Sequence, residues 1–452
     1  MDRACMKLFL DWSAYENAGM GDAYADIPKQ GADYAKAIAV CIGSKQCEQE
    51  GKGVMCPSYR ISHQAALSPG GRVKLLKAAL NAEDSRAFFN SELADAMDLC
   101  VSCKGCKREC ENGVDMALIK AEYLAQRSKY WGMPLRQRIW GELPQLLRLP
   151  LVLQLIRWRN RYSWLAKLVD VAIGINALRR LPEPAVQPFA TDVEQKIEST
   201  GQHVVLFVDT FNFYFNPDAA TAAQQLLQAA GYRVSVAEPL ADDGSERPLC
   251  CGRTYFSNGQ IDKAKAEARR LIKSLSAHVE SGHPIIGLEP SCILSLRDEY
   301  LTLGLGEPAR KLAENVVLLE EFIVREQTAK RWTLPFQALP DVKRLLLHGH
   351  CHQKAVGAIK SVRKLLKQIP ELDFELIESS CCGMAGNFGV ESEHYQHSQA
   401  MAELALFPAL RAEPEAMIVS NGFSCQQQID NGGFGKPLHL AEVLCLATGV
   451  NS

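Results

Sequence analysis

The chain has no marked excess of either charge: 50 Lys and Arg stand against 52 Asp and Glu, a formal net charge of −2. That balance argues against a general nucleic-acid binder, whose surface would be strongly basic. There is no run of about 18 uncharged apolar residues, so no helix is expected to span a bilayer. The opening residues, MDRACMKLFLDW, contain neither a sustained apolar stretch nor a small-residue cleavage site. They do not read as a secretory leader, and the expected location is cytoplasmic. A Gly-x-Gly-x2-Gly turn between strand and helix is also missing. Gly383, Gly386 and Gly389 are spaced G-x2-G-x2-G, with Cys381 and Cys382 where phosphate would lie. A dinucleotide site is therefore not expected in this chain.

Cysteine, by contrast, is abundant, at 16 in 452 residues. Without an oxidising compartment, clustered thiols read as metal ligands and not as disulfides. The most specific run is Cys100, Cys103, Cys106 and Cys110, spaced C-x2-C-x2-C-x3-C. A thiolate at every third residue lets a short loop wrap one corner of an iron–sulfur cubane, and the fourth cysteine turns towards a neighbouring cluster. Zinc is normally gripped by two separate pairs instead. Upstream lie Cys41, Cys47 and Cys56, the last followed by Pro57. Crossed pairing assigns Cys56 to a cluster with Cys100, Cys103 and Cys106, and leaves Cys41, Cys47 and Cys110 for a second. Three thiolates leave that second site open to three readings: a [3Fe-4S] cluster, a [4Fe-4S] cubane with a non-cysteine ligand, or a site completed by a partner.

Residues 1–40 lack strong periodicity and read as an irregular arm. Within 41–127, apolar residues recur at helical spacing in Arg72–Leu80, Glu92–Leu99 and Met116–Gln126. This predicts an all-α, ferredoxin-like domain with two clusters held between helices. Residues 128–190 change character. From Arg127 to Leu181, eleven basic residues (Arg127, Lys129, Arg136, Arg138, Arg148, Arg157, Arg159, Arg161, Lys167, Arg179, Arg180) face two acidic ones, Glu142 and Asp170, with four tryptophans interleaved. Such a stretch, over 128–181, suits peripheral contact with an anionic membrane face or docking into a partner, or is a solvated helical connector. Pro182, Pro184 and Pro188 mark a linker.

The remainder reads as two versions of one α/β unit, 191–340 and 341–452, with mainly parallel sheets. Expected strands are His203–Asp209, Tyr232–Ala237 and Pro284–Leu288 in the first, and Lys343–Leu347, Phe374–Ile377 and Met417–Ser420 in the second. Cys250-Cys251-Gly252 recurs as Cys381-Cys382-Gly383, each followed after a strand by a lone cysteine, Cys292 and Cys425. The intervals, 40 and 42 residues, mark an internal duplication. Cys351, Cys381, Cys382 and Cys425 supply four thiolates for a further cluster or zinc. The first copy has Thr210 or Phe211 in place of Cys351, so Cys250, Cys251 and Cys292 either bind metal with three thiolates or form a degenerate copy. His348, His350 and His352 around Cys351 read as structural or supporting residues. Cys5 and Cys445 stand alone and read as small buried hydrophobes.

The run LCVSCKGCKREC with GVMCPS upstream, followed by two cysteine-cysteine-glycine (CCG) units, resembles the iron–sulfur subunits of glycolate oxidase and anaerobic glycerol-3-phosphate dehydrogenase. CCGMAGNFG is similar to a motif in the iron–sulfur half of FAD-linked D-2-hydroxyacid dehydrogenases. The resemblance covers roughly Cys41 to Cys445. It implies an electron-transfer subunit, working with a separate FAD-binding dehydrogenase of a glycolate- or D-lactate-like hydroxyacid and delivering electrons to a quinone or other acceptor. The sequence departs from the pattern in three ways. Glu111 follows Cys110 where proline is usual, one ferredoxin ligand is missing, and the first CCG unit lacks its leading cysteine. Two alternatives remain: a catalytic subunit of heterodisulfide-reductase type, for which Glu289 and Gly422 stand where extra thiols are needed, and a zinc-stabilised scaffold.

Overall fold

The computed structural model describes residues 6–20, 26–49, 51, 53–190, 201–245 and 247–450. Cys5 and the expected start of the first α/β unit at residue 191 lie outside them. The architecture is mixed and helix-rich, with two small parallel sheets, and among the described residues no strand precedes His203.

The helices Pro69–Asn81, Ser91–Asp98 and Met116–Trp131 form where apolar spacing predicts them. Ser68, Asn90 and Asp115 cap their first turns by accepting backbone N–H groups of Gly71, Leu93 and Leu118. The expected irregular arm is corrected in part. Ala32–Ala39 is a helix, entered through Gly31 at φ 104°, and Tyr34 and Ile38 on it are fully buried. So short a helix carries too few apolar repeats for periodicity to reveal it. Further upstream, irregular chain is held by a buried carboxylate: Glu122 accepts from the backbone N–H of Phe9 (3.0 Å) and Leu10 (2.9 Å) and from Trp12 Nε1 (3.2 Å).

The first sheet comprises β1 (His203–Phe207), β2 (Arg233–Val236), β3 (Ile285–Gly287) and β4 (Val316–Leu318), in the order β2-β1-β3-β4. The second comprises β5 (Arg344–Leu347), β6 (Asp373–Leu376) and β7 (Met417–Val419), in the order β6-β5-β7. All pairings are parallel. The shared order of the first three strands is the structural form of the sequence repeat. Strand β4 escaped sequence reading because three residues follow the helix Glu307–Asn315 with no intervening turn signal.

Central strands are apolar on both faces because both are covered. Val205, Phe207 and Ile285 pack towards Leu271 and Leu275 and the N-terminal helices, whereas Val204, Leu206 and Ile286 share a core with Leu345, Leu347 and Val419. Helices Pro217–Ala229 and Leu440–Thr448 join the two units, with the Cys445 thiol 3.0 Å from the Ala222 carbonyl.

Between the helical region and the first sheet lie the helices Leu135–Gly141, Leu143–Leu146, Pro150–Arg161 and Ser163–Ile173. Two of the eleven basic residues of this stretch are not solvated. Arg159 and Arg179 are buried; Arg159 donates to the carbonyls of Asn176 and Arg179, and Arg179 donates to Ser398 Oγ at 2.7 Å. Arg157 donates to the carbonyls of Pro184 and Ala185. The exposed residues of helices Pro150–Arg161 and Ser163–Ile173 and their approach include apolar Leu151, Trp158, Trp164, Leu168 and Val171, together with Arg148, Arg161 and Lys167. Among the described residues no helix is long and apolar enough to cross a membrane.

Glu122→Ala would leave buried N–H donors without an acceptor, at a cost of about 2 kcal/mol or more. Limited proteolysis is expected to release the segment before Ala32 faster than from the unaltered protein.

Candidate metal centres

Cys56, Cys100, Cys103 and Cys106 line one cavity, with Pro57, Arg72 and Met116. The loop carrying three of them turns because Ser102 and Lys104 adopt left-handed conformations, φ 49° and 61°, and Cys56 does the same at φ 30°. Two features hold Cys56 opposite the loop. Glu109, between Cys106 and Cys110, accepts from the N–H groups of Val54 (2.6 Å) and Met55 (2.8 Å). Gly105 lies so close that a Cβ there would meet the Val54 carbonyl oxygen at 2.6 Å.

The cavity is unfriendly to thiolates unless positive charge enters it. Burial pushes the Cys106 and Cys103 thiols up, Cys106 further through Asp115 and Cys103 through Cys351. It pushes Cys56 up too, where Arg72 opposes it. Arg72 is 1% exposed; it donates to the Ala96 carbonyl (2.6 Å) and points Nη1 at Cys56 Sγ (3.5 Å), while Nη2 has no partner. Four convergent thiols with a cationic donor left over fit an anionic iron–sulfur group.

Cys41, Cys47 and Cys110 are half-buried and lie apart from that cavity. The Cys47 sulfur accepts from Gly70 N–H (3.4 Å), and Cys47 feels Cys41 and Glu48. Glu111 N–H contacts Gln46 Oε1 at 3.4 Å, which brings the turn after Cys110 against the Cys47 loop.

In the α/β units every cysteine of the motif lies beyond the carboxyl end of a strand, where the order reverses and doubly wound sheets place their ligands. Cys351 opens a helix after β5 and Cys425 sits in the helix after β7. Thiol-to-thiol contacts run from Cys351 to Cys381, Cys382 and Cys425. All four are buried. Gly383, at φ 89°, donates its N–H to Cys381 Sγ (3.4 Å), and a Cβ there would meet the Ser398 carbonyl oxygen at 2.2 Å. The first unit repeats the geometry: Gly252, at φ 75°, donates to Cys250 Sγ (3.4 Å), and Cys250, Cys251 and Cys292 are in contact. Thr210 occupies the place of Cys351, its buried hydroxyl beside Cys250.

His348 has a larger place than its sequence context suggests. One of its ring nitrogens and the sulfurs of Cys382 and Cys425 lie within 4.8 Å of one another. Nδ1 faces Ser379 Oγ at 3.2 Å and Nε2 is buried without a partner. His350 caps the Cys351 helix, and His352 Nε2 lies 3.1 Å from the Ser102 carbonyl.

That last contact joins two centres. Helix Cys351–Val356 packs on Gly105–Glu109, and Cys103 and Cys351 belong to one buried cluster. Lys104, in the cysteine loop, pairs with Asp298 (2.5 Å) and Glu299 (2.9 Å) of the first unit. Arg253, beside Cys251, pairs with the same Glu299 at 2.7 Å. Burial alone would raise the Glu299 carboxyl, but Lys104 and Arg253 hold it down to about 2.

Residues 37–114 match the 4Fe-4S dicluster domain family, and residues 345–430 match the cysteine-rich domain family. The chain thus carries one segment of each family. It is similar to a subunit of the anaerobic glycerol-3-phosphate dehydrogenase of Escherichia coli (strain K12), 28% identical over 268 residues, 58% of this chain and 64% of that one. D-2-hydroxyglutarate dehydrogenase of the same strain is 22% identical over 444 residues, 86% of this chain but 41% of that protein. Lactate utilization protein A 2 of Bacillus cereus (strain Q1) is 24% identical over 254 residues, 53% of this chain and 97% of the relative. The chain therefore spans less than two thirds of the length of the first two relatives. No solved structure matches it significantly.

Replacing Arg72 by Gln removes the buried cation facing the Cys56 cavity. The group bound there is expected to become harder to reduce by roughly 60 mV or more, a tenfold shift in a one-electron equilibrium. Potentiometric titration followed by electron paramagnetic resonance measures the shift, and Arg72→Lys should recover part of it.

Proposed function

We propose that this chain is the iron–sulfur electron-transfer subunit of a dehydrogenase complex whose flavin lies on another polypeptide or domain. Cys56, Cys100, Cys103 and Cys106 would hold one [4Fe-4S] cluster, and Cys41, Cys47 and Cys110 the other. Cys351, Cys381, Cys382 and Cys425 would hold a further cluster or zinc. A bound cubane exchanges one electron at a time, whereas a reduced flavin releases two. The observation that carries the reading is that Cys103 shares one buried cluster with Cys351, Cys381, Cys382 and Cys425, which sets two thiol sites side by side across a helix interface.

The chain's own residues insulate and orient. Arg72 and the N–H groups of Gly70, Gly252 and Gly383 point at sulfur, which stabilises negative charge there. Lys104, Glu299 and Arg253 lock the cysteine loop against the first unit, so the sites keep their separation. The partner is an FAD-dependent 2-hydroxyacid dehydrogenase, and the acceptor a quinone or equivalent carrier. Support comes from relatives named as a dehydrogenase subunit, a dehydrogenase and a lactate utilization protein. A heterodisulfide-reductase role is less favoured. Glu289 and Gly422 replace the extra thiols, and Glu289 is committed to the N–H groups of Ser291 (3.0 Å) and Phe423 (2.7 Å).

Anaerobically purified protein is expected to contain iron and acid-labile sulfide for two or more clusters, and to oxidise no hydroxyacid until a flavoprotein is added. Zinc without iron would establish a scaffold instead, and turnover by the chain alone would overturn the transfer role. The exposed face of helices Pro150–Arg161 and Ser163–Ile173 suits an anionic membrane surface, apolar residues inward and Arg148, Arg161 and Lys167 at the headgroups. Trp164→Glu with Leu168→Glu should abolish sedimentation with phosphatidylglycerol vesicles and leave iron content unchanged.

A further inference from the structure

At the amino-terminal ends of the central strands of the first sheet, opposite its cysteines, three histidines meet. His203 opens β1, His283 lies two residues before β3, and His278 lies in the last turn of helix Ile261–Glu280. The parallel register Val205↔Ile285 sets His203 beside His283 on neighbouring strands. The turn is closed by His283 N–H donating to the His278 carbonyl at 3.0 Å, which fixes the two residues relative to each other. One ring nitrogen from each of the three lies within 4.8 Å of the others. The Nδ1 atoms of His278 and His283 are 3.3 Å apart. A tetrahedral zinc with Zn–N bonds of about 2.0–2.1 Å holds its ligand nitrogens about 3.3 Å from one another.

We propose that His203, His278 and His283 form a three-imidazole site for a divalent transition metal, zinc in the first instance, with a fourth position open to water. The site is separate from every cysteine set and takes a different class of metal, since imidazole nitrogen without sulfur suits zinc, copper(II) or nickel(II) and not an iron–sulfur cluster.

Three features beyond proximity support it. His203 Nε2 is 2.9 Å from Ser235 Oγ on the adjacent strand, the kind of outer contact that fixes the tautomer of a metal-binding imidazole and leaves the other nitrogen's lone pair free. Arg233, paired in register with His203, opposes a cation, but the site adjoins a helix C-terminus, whose carbonyls carry partial negative charge. All three rings are half-buried, so an ion can enter from solvent without unfolding the sheet. Bound there, a metal would tie the end of the long helix to both strands.

The test uses the full chain with its iron–sulfur sites loaded. Zinc is titrated by calorimetry, and cobalt(II) is added separately as a visible probe. We expect one equivalent bound in the micromolar range, with cobalt ligand-field bands but no sulfur-to-cobalt charge-transfer band. His203→Gln, His278→Gln and His283→Gln should each weaken binding by more than roughly 10-fold, with iron and sulfide unchanged. As a measurement needing no variant, zinc should protect these three histidines from diethyl pyrocarbonate in peptide mapping. Zinc uptake that survives all three substitutions, cobalt spectra showing sulfur ligation only, or absence of micromolar binding and of protection would each overturn the proposal.

Discussion

A thiolate is stable away from water only where positive charge meets it, and this fold buries most of its cysteines. Desolvation pushes Cys103 and Cys106 upwards, and contact with neighbouring thiols followed by burial does the same for Cys351, Cys381 and Cys382, so each site is poised for a cation that the protein itself supplies only in part. Arg72 at the Cys56 cavity is the one guanidinium hydrogen-bonded to a cysteine sulfur among the described residues. Elsewhere backbone N–H groups serve, aimed by glycines whose positive φ no other residue adopts easily. The chemistry of the chain follows from this shortage of charge around sulfur.

The same constraint explains why three parts of the chain interlock. Lys104 is displaced from solvent by the turn that presents Cys103 and Cys106, and a buried ammonium needs partners. It finds them in Asp298 and Glu299, which belong to the first α/β unit. Arg253 completes the arrangement and brings the neighbourhood of Cys251 close to Cys351. The first unit, short of a cysteine at Thr210, thereby keeps a clear structural role, clamping the cysteine loop against the second unit.

Much of the fold was legible because it rests on short-range patterns. Strands β1, β2, β3, β5, β6 and β7 were each found within two residues at either end, as alternating turns and apolar runs allow. What failed was short or context-dependent. Ala32–Ala39 carries too little periodicity, β4 is three residues long, and the burial of Arg159 and Arg179 depends on distant partners, loop carbonyls for the first and the Ser398 hydroxyl for the second. His348 looked like one of three equivalent histidines; its approach to Cys382 and Cys425 is set by the pairing of β5 with β7. The triad of His203, His278 and His283 was invisible for the same reason, since strand register and helix length bring it together.

Cysteine spacing along the chain marked Cys100, Cys103 and Cys106 as one tight loop, and the structure sets that loop around a single cavity with Cys56. The repeat of Cys-Cys-Gly likewise announced two units built alike. Only the tertiary structure decided how those sets stand relative to each other. The nearness of Cys103 to Cys351, and the separation of the histidines from both, come from helix packing and sheet order acting between residues far apart in sequence. Local spacing has no access to such distances, since they depend on the whole chain having closed around its core.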